Sequence, residues 1–586
     1  MNRRHALLSG LAVALFAAPA AAFPGFYAYK GAKPTNLSTH IVLMKKDATT
    51  VVTVMPDYQG DLKPFAVVMP VPDDVKADQV KTLKRDFMER IDQITAPRFH
   101  EFWEMDPCDP AGQQQEWERD LSVHGGGFLG TDMDFGGDQP SAFKPGKEMA
   151  LTVAPEFKEG EHTVSLIPPS DVGDVEGWLK RKGYTAPDGA NAAVSEYAKA
   201  GMAMLAVEVD TRKVELLGSD RAIVSPIRYS TQKPVNVDST LGLLNLGDKQ
   251  ELFIYVIHPE QRFEVKNYPN VFPPTNVEVD FKVKERMGEF YAGLHDLLLT
   301  KQPMGFLNEF AWSAKGCGQP CPGEPLLIHE LLSLGGDVFE EAVPKEERNP
   351  KPPDFTEEEK KQFDDIKDKK KKKEIEEMRK ETARRKALLA RHHYIVSRFH
   401  HRYDRKTLPK DVELGPADAI HGGVDVPQGE KAQLPLDVKK SAENQFQVRF
   451  LSYHQSPAVP HCDKPERWRW GKAPRTYLGL RKIWVAQDMA TKNRTSHKPA
   501  ELMITPVPDL GLAGHLDLAA GAAEAKSFGP APSASAPVGD GSGAAKKGCG
   551  CRIAARDQPG AGMLLVSGAI VVLLRRRAER TRSRRP

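Results

Sequence analysis

The 586-residue chain has none of the short motifs that usually declare a reaction. No G-x-S-x-G elbow occurs in it. The stretch "VHGGGF" (His124–Phe128) has the form of a backbone oxyanion loop, but it has no nucleophile to serve and reads as a flexible loop. No H-E-x-x-H occurs either: His329-Glu330 in "IHELL" lacks a second imidazole one turn on, so the usual zinc-hydrolase helix is excluded. No P-loop and no G-x-G-x-x-G following a strand is present, which removes the common nucleotide cradles. Cysteine is scarce, with six in the whole chain, and the two long uncharged runs sit at the ends.

Those two ends carry the clearest statements. The N-terminus "MNRRHALLSGLAVALFAAPAAAFPG" places two arginines before an apolar run from Ala6 to Ala18, followed by Ala20, Ala21 and Ala22. That order is expected of a secretory leader cleaved after small residues, with Ala20 and Ala22 at the cleavage site and Phe23 as the first mature residue. Arg3-Arg4 hints at twin-arginine export, although the flanking residues do not otherwise support it. At the other end Gly560–Leu574 is uncharged and is followed by Arg575, Arg576 and Arg577. As a helix it reaches about 22 Å, short of the roughly 30 Å hydrocarbon layer. The stretch "SFGPAPSASAPVGDGSGAAKK" before it has the composition of a flexible spacer.

The spacer, Cys549 and Cys551, the run Met563–Leu574 and Arg575–Arg577 together resemble the MYXO-CTERM sorting tail of myxobacterial surface proteins. That resemblance implies cutting near the cysteines by a membrane-bound sorting protease, after the export machinery has delivered the body. The trailing "AERTRSRRP" is longer than such tails usually carry, and a plain membrane anchor is the alternative. Either reading puts the body outside the cytoplasm, at the cell envelope or surface.

The formal charge of +3 misdescribes that body. Without the two leader arginines, and without the nine arginines and two acids from Cys549 onward, 71 basic and 77 acidic residues remain, a net −6. A mildly acidic surface argues against nucleic acid as a partner. The body holds four cysteines, Cys108, Cys317, Cys321 and Cys462. An even number in an exported chain points to disulfides. Cys317 and Cys321 in "CGQPC" are close enough to close on each other, leaving Cys108 to Cys462, and a zinc knuckle is the other use of such spacing.

The pattern along the body is that of an α+β fold with mixed, mostly antiparallel sheets and flanking helices. Ile41–Met44 and Thr50–Met55 flank the polar turn "KKDA" as a hairpin, and Phe65–Met69 is a third strand ended by Pro70. These runs are apolar on both faces, so the sheet is expected to be covered twice. Lys81–Ile94 has helical spacing, as does Val283–Leu299. Residues 106–147 read as a long Gly/Asp/Pro loop, with strands resuming at Met149–Val153 and Thr163–Ile167. Ser170 opens a helix closed by Gly183, and Pro187 leads into another closed by Gly201. "MAMLAVEVD", "AIVSPIRYS" and "ELFIYVIHP" are strands, and "PLLIHELLSLG" a short helix.

Residues 344–391 change character. Thr356 and Glu359 form a capping-box pair, and Glu and Lys then recur four apart with few apolar residues, as in one long solvent-exposed charged helix over 356–390 or a partly disordered insertion. Such an arm is a candidate for docking a protein partner. Beyond about residue 425 further strands form either a second β-rich unit or a return to the first sheet; residues 511–548 are the spacer and 549–586 the tail.

Five stretches resemble the exported bacterial proteins grouped as domain of unknown function 2330: "VVTVMPDYQGDLKPFAVVMPVP", "EGWLKRKGYTAP…VSEYAKAGMAMLAVEV", "SPIRYSTQKPV", "WSAKGCGQPCPGEPL" and "FHHRYDRKTLPKDVEL". They keep this order over roughly residues 24–415. The resemblance implies relatives and no chemistry.

Candidate metal ligands are few. "TDMDFGGDQ" offers Asp132, Asp134 and Asp138 for calcium, without the downstream Glu of an EF-hand. "HHYIVSRFHH" would, as a helix, put His393 and His400 on one face two turns apart. No cofactor is expected apart from that calcium. The reading is of an exported envelope or surface protein that binds or scaffolds. A secreted metal-assisted hydrolase drawing on His124, His393, His400 and the Asp132 loop is the alternative.

Overall fold

Strand runs that are apolar on both faces demand cover on both sides, and the chain supplies it with a second sheet and with helices. The computed structural model describes residues 20–22, 24–29, 32–61, 63–109, 156–217, 221–313, 326–430, 434–456, 460–471, 484–485 and 499–507. The segment before Ala20, His124, the Asp132 loop with Asp134 and Asp138, the Met149–Val153 strand, Cys317 and Cys321, and the tail with Cys549, Cys551 and Arg575–Arg577 lie outside the described residues. Ala20–Ala22 forms a short strand paired in parallel with Asn236–Asp238.

The centre is a 13-stranded mixed sheet built around β1 (Asn36–Lys46), β2 (Thr49–Gln59), β3 (Leu246–His258), β4 (Phe306–Ser313) and β5 (Ile395–Tyr403), side by side in the order β2-β1-β3-β5-β4. The expected hairpin of β1 and β2 turns through Asp47, whose φ of 52° is a left-handed value that Asp tolerates. β3 runs parallel to β1 and antiparallel to β5, and β5 is antiparallel to β4.

Side chains alternate faces along each strand. Ile41, Leu43, Val52, Val54, Leu252, Ile254 and Phe399 point into a core shared with Phe65, Val67, Leu205 and Val207 of a six-stranded sheet. That second sheet turns Tyr27, Ala66, Val68, Met204 and Ala206 toward the helices Val175–Arg181 and Ala190–Lys199. Gly183 and Gly201 follow those helices with φ of 91° and 69°, the left-handed geometry that ends a helix. On the other face of the central sheet, Val42, Met44, Val51, Tyr255, Ile257 and Val396 meet Met88, Ile91 and Ile94 of α1 (Asp86–Thr95). α2 (Met287–Lys301) packs Phe290, Tyr291, Leu294 and Leu298 into a neighbouring cluster. The result is an α+β fold.

Several boundaries differ from the sequence reading. The third strand continues through Pro70 to Val71. Gly25–Tyr29 pairs with it only as far as Val68, so Pro70 has a strand neighbour on one side, the edge condition under which proline is tolerated. α1 starts at Asp86, because Lys81–Thr82 is drawn into pairing with Ile227–Arg228. "AIVSPIRYS" splits into Arg221–Ile223 and Ile227–Thr231. "HHYIVSRFHH" leads into strand β5 and forms no helix.

The strands beyond residue 425 return to the body. Gln445–Gln447 pairs with β4, and Arg449–His454 runs parallel to Arg98–Glu104 in a separate five-stranded sheet. Shortly after Arg98–Glu104, Cys108 is bonded to Cys462 across 354 residues of sequence.

By contact the chain divides into two units, Met1–Pro344 with Leu389–Phe528, and Lys345–Leu388 with Gly529–Pro586. The described part of the second corrects the expected single helix to two, Glu357–Asp364 and Lys369–Arg391, the last turn of which runs into the first unit. The capping box at Thr356 forms, with Glu359 N–H donating to Thr356 Oγ1 at 3.2 Å and Thr356 N–H to Glu359 Oε2 at 2.9 Å. Asp368 accepts from the Lys370 amide at 2.9 Å and starts the second helix, which is the local reason for the break.

Candidate functional site

The second face of β5 carries Arg398, His400 and Arg402 at alternate positions, and two of these three are fully buried. A period-2 polar row normally faces water; here it is roofed by α1 and α2. In the same row β3 places Glu251, Phe253 and Tyr255, with Phe253 opposite His400 and also opposite His40 of β1. β4 contributes Glu309 by an irregularity. Asn308 pairs with Phe399 and Phe310 with Arg398, so Glu309 is the extra residue of a bulge. α1 lowers Asp92 and Thr95 onto the row, and α2 lowers Tyr291 and His295, four residues apart on one helix face.

The bonds form one network. Arg398 donates to Glu309 Oε2 and to Asp92 Oδ1, both at 2.5 Å, and to Thr95 Oγ1 at 3.1 Å. Tyr255 donates to Asp92 at 2.9 Å, and Tyr291 to Glu309 Oε1 at 2.8 Å. His400 lies between two carboxylates, Nδ1 at 2.9 Å from Glu309 and Nε2 at 2.7 Å from Glu251. Arg402 approaches the other Glu251 oxygen at 2.9 Å and reaches Asp296 at 2.6 Å. The rings of His40, Phe253, His400 and His295 follow one another with centroids 4.5, 4.2 and 4.1 Å apart.

Burial sets the proton affinities. Glu309 is held down at about 2: burial works to raise it, and the His400 and Arg398 charges, with the bonds from His400 and Tyr291, outweigh that. Burial and the neighbouring His400 push His295 down to about 4, against the pull of Asp296 and Glu309. Burial likewise pushes His40 to about 4, against Asp92. For His400 burial acts downward and Glu309 upward, with Arg398 and Arg402 adding to the downward side, and the balance is below its ordinary value. The geometry pulls the other way, since two carboxylates ask for positive charge at that ring. Burial drives Tyr255 and Tyr291 far up, so both remain donors.

Glu251, His295 and His400 can each offer a ligand atom, and those atoms lie within 4.8 Å of one another. Of the pair read from the sequence, His400 is in this cluster. His393 lies ahead of β5, half-buried, with Nδ1 3.4 Å from the Ala390 carbonyl, and the helix face that would have joined the two is absent. Glu251, His295, Glu309 and Asp92 were not singled out by sequence reasoning. The available signal was the alternation Arg-x-His-x-Arg in β5; their partnership with it spans 91 to 306 residues of sequence. Elsewhere on the first unit an open groove of about 640 Å³ combines Phe272 and Ile420 with Lys266, Lys440, Glu264 and Asp418.

Comparison with known proteins adds a family. The group described as an uncharacterized protein conserved in bacteria (DUF2330) matches residues 18–415, and the chain belongs to it. No curated protein matches the sequence. Among solved structures, the crystal structure of baculovirus P35 aligns over 44% of this chain and 70% of that one, at 13% identity and TM-score 0.19. The caspase-8/P35 complex aligns over 39% and 65%, at 10% identity and TM-score 0.17. Likeness at that level carries no functional argument.

Proposed function

We propose that this family member is an exported cell-envelope or cell-surface protein whose body binds or scaffolds other molecules. The observation that carries the placement is the bond between Cys108 and Cys462. Disulfides persist in oxidising compartments and are rare in the cytosol, and this one ties the Arg98–Glu104 strand to the chain 354 residues on. The leader before Phe23 and the apolar tail before Arg575 agree with that placement. Export machinery handles the first, and a sorting protease acting near Cys549 handles the second. Supporting a binding role, the ionisable cluster around His400 is buried away from a soluble substrate, the mixed groove at Phe272 and Lys440 is open, and most side chains of the charged helices over 356–390 are exposed.

The test is intact mass of the protein recovered from envelope and culture fluid, with and without reduction. A chain starting at Phe23, ending near Cys549 and gaining about 2 Da per disulfide on reduction is expected. A chain that keeps Met1, stays with the cytoplasm and has all thiols free would overturn the reading.

A further inference from the structure

We propose that Glu251, His295 and His400 form a buried binding site for a single divalent transition metal of the zinc class, one that holds β3, β5 and α2 together. Three observations carry it. First, both ring nitrogens of His295 are buried without a hydrogen-bond partner among the described residues, and the carboxylate of Asp296 is 3.9 Å away. An imidazole left that way in a dry interior loses the full value of its bonds with water. Its ring stands 4.1 Å from that of His400, inside the cluster whose three ligand atoms lie within 4.8 Å of one another.

Second, the outer bonds are those a metal site needs. His400 Nδ1 faces Glu309 at 2.9 Å, so the ring can donate there and turn the Nε2 lone pair toward Glu251. A ligating imidazole that donates its other N–H to a carboxylate is the usual arrangement around zinc, and it fixes both tautomer and orientation. Glu309 is itself held by Tyr291 and Arg398, and the second oxygen of Glu251 lies against Arg402. The ligands are therefore fixed before any ion arrives.

Third, the side chains that meet here favour a cation, since carboxylates outnumber guanidinia among them. Asp92, Glu251, Asp296 and Glu309 supply four carboxyl groups to the layer, and Arg398 and Arg402 supply two guanidinia. A divalent ion between Glu251 and the two imidazoles would suit that excess of carboxylate. On binding it replaces the proton that must otherwise sit between His400 Nε2 and Glu251, and that proton leaves to solvent. Two imidazoles and one carboxylate suit zinc and its first-row neighbours better than calcium or magnesium. Asp296, 48% exposed and paired with Arg402, is the member of this layer that meets solvent.

Metal content of the full chain, purified without a histidine tag and dialysed against metal-free buffer, decides the matter. About one equivalent of zinc per chain is expected, or one restored by titration with zinc alone. Cobalt loaded in its place should give visible absorption bands, and removal by a strong chelator should lower the melting temperature. His295→Asn should reduce the bound metal at least tenfold, while Cys317→Ser with Cys321→Ser leaves it at one equivalent. Because His295→Asn could fold poorly, the wild-type titration stands on its own. A wild-type chain that takes up less than a tenth of an equivalent, with a melting temperature indifferent to zinc and chelator, overturns the proposal. So does metal that survives His295→Asn or disappears with the cysteine pair.

Discussion

Among the described residues, charge is dense in two places, and they are built on opposite terms. In the layer around β5, Arg398, Glu309 and His400 are wholly buried and Glu251 nearly so, each held by partners from different strands and helices. In the helices Glu357–Asp364 and Lys369–Arg391, charge recurs along one piece of chain, and most side chains are exposed. The lysine helix has contacts of its own, with Arg379 over the Phe355 ring at 3.4 Å, Lys372 over Phe363 at 4.9 Å and Ile375 buried. Its ion pair Lys373–Glu377 spans 3.8 Å with both side chains more than half exposed. Water does most of the work of solvating those charges, whereas in the buried layer the protein must do all of it. Composition alone does not tell the two apart; what differs is whether a charge's partners are local or distant.

The largest effect that should separate them comes from removing one member of the buried layer. Arg398→Met takes from both Glu309 and Asp92 the guanidinium that pairs with them, and breaking a buried pair this way costs about 3–5 kcal/mol. Urea unfolding of the first unit should read that loss. A shift below about 1 kcal/mol would mean that the layer is wet.

The next contrast is in pH. Asp411 is raised from its ordinary 3.8 to about 7, first by burial and then by the facing Asp238, with Glu413 adding to it. A carboxyl raised in the folded chain keeps a proton that the unfolded chain releases. The stability it confers is therefore complete below its unfolded value and is lost as pH rises through about 7. The slope should not exceed about 1.4 kcal/mol per pH unit, the most one proton gives. Asp411→Asn should flatten the stability profile between pH 4 and pH 7, and substitutions among Lys369–Lys373 should leave it unchanged.

Smaller again, Thr356→Ala removes a capping bond and should cost the local helix about 1 kcal/mol, read as faster amide exchange in residues 357–364. Smallest of all, Lys373→Ala should change stability by less than about 0.5 kcal/mol, since an exposed i,i+4 pair is worth little more.

Where partners are local, the sequence was readable. The β1–β2 hairpin, the helices closed by Gly183 and Gly201, and the Thr356–Glu359 capping box each depend on residues a few places apart, and each is present. Double burial of the central strands followed from runs apolar on both faces. The site was legible only as a cluster of histidines. His400 was picked for the wrong neighbour, His393, because helical spacing was imposed on what is a strand. Its actual companions come from β3, β4 and α2, 149, 91 and 105 positions away, and no periodicity in one sequence reports such distances. The break between the two charged helices at Asp368 was hidden for a different reason. The run Lys369–Lys373 continues the helical pattern, and only the side chain of Asp368 capping the amides beyond it marks the new start.

Amide hydrogen exchange of the intact protein, followed by mass spectrometry, compares the two charged regions in a single experiment. β5 (Ile395–Tyr403) should exchange only by global opening, while residues 369–388 exchange orders of magnitude faster by local fraying. Equal rates in the two segments would contradict the account, because a charged row that opens as readily as a solvated helix is not sealed by its partners.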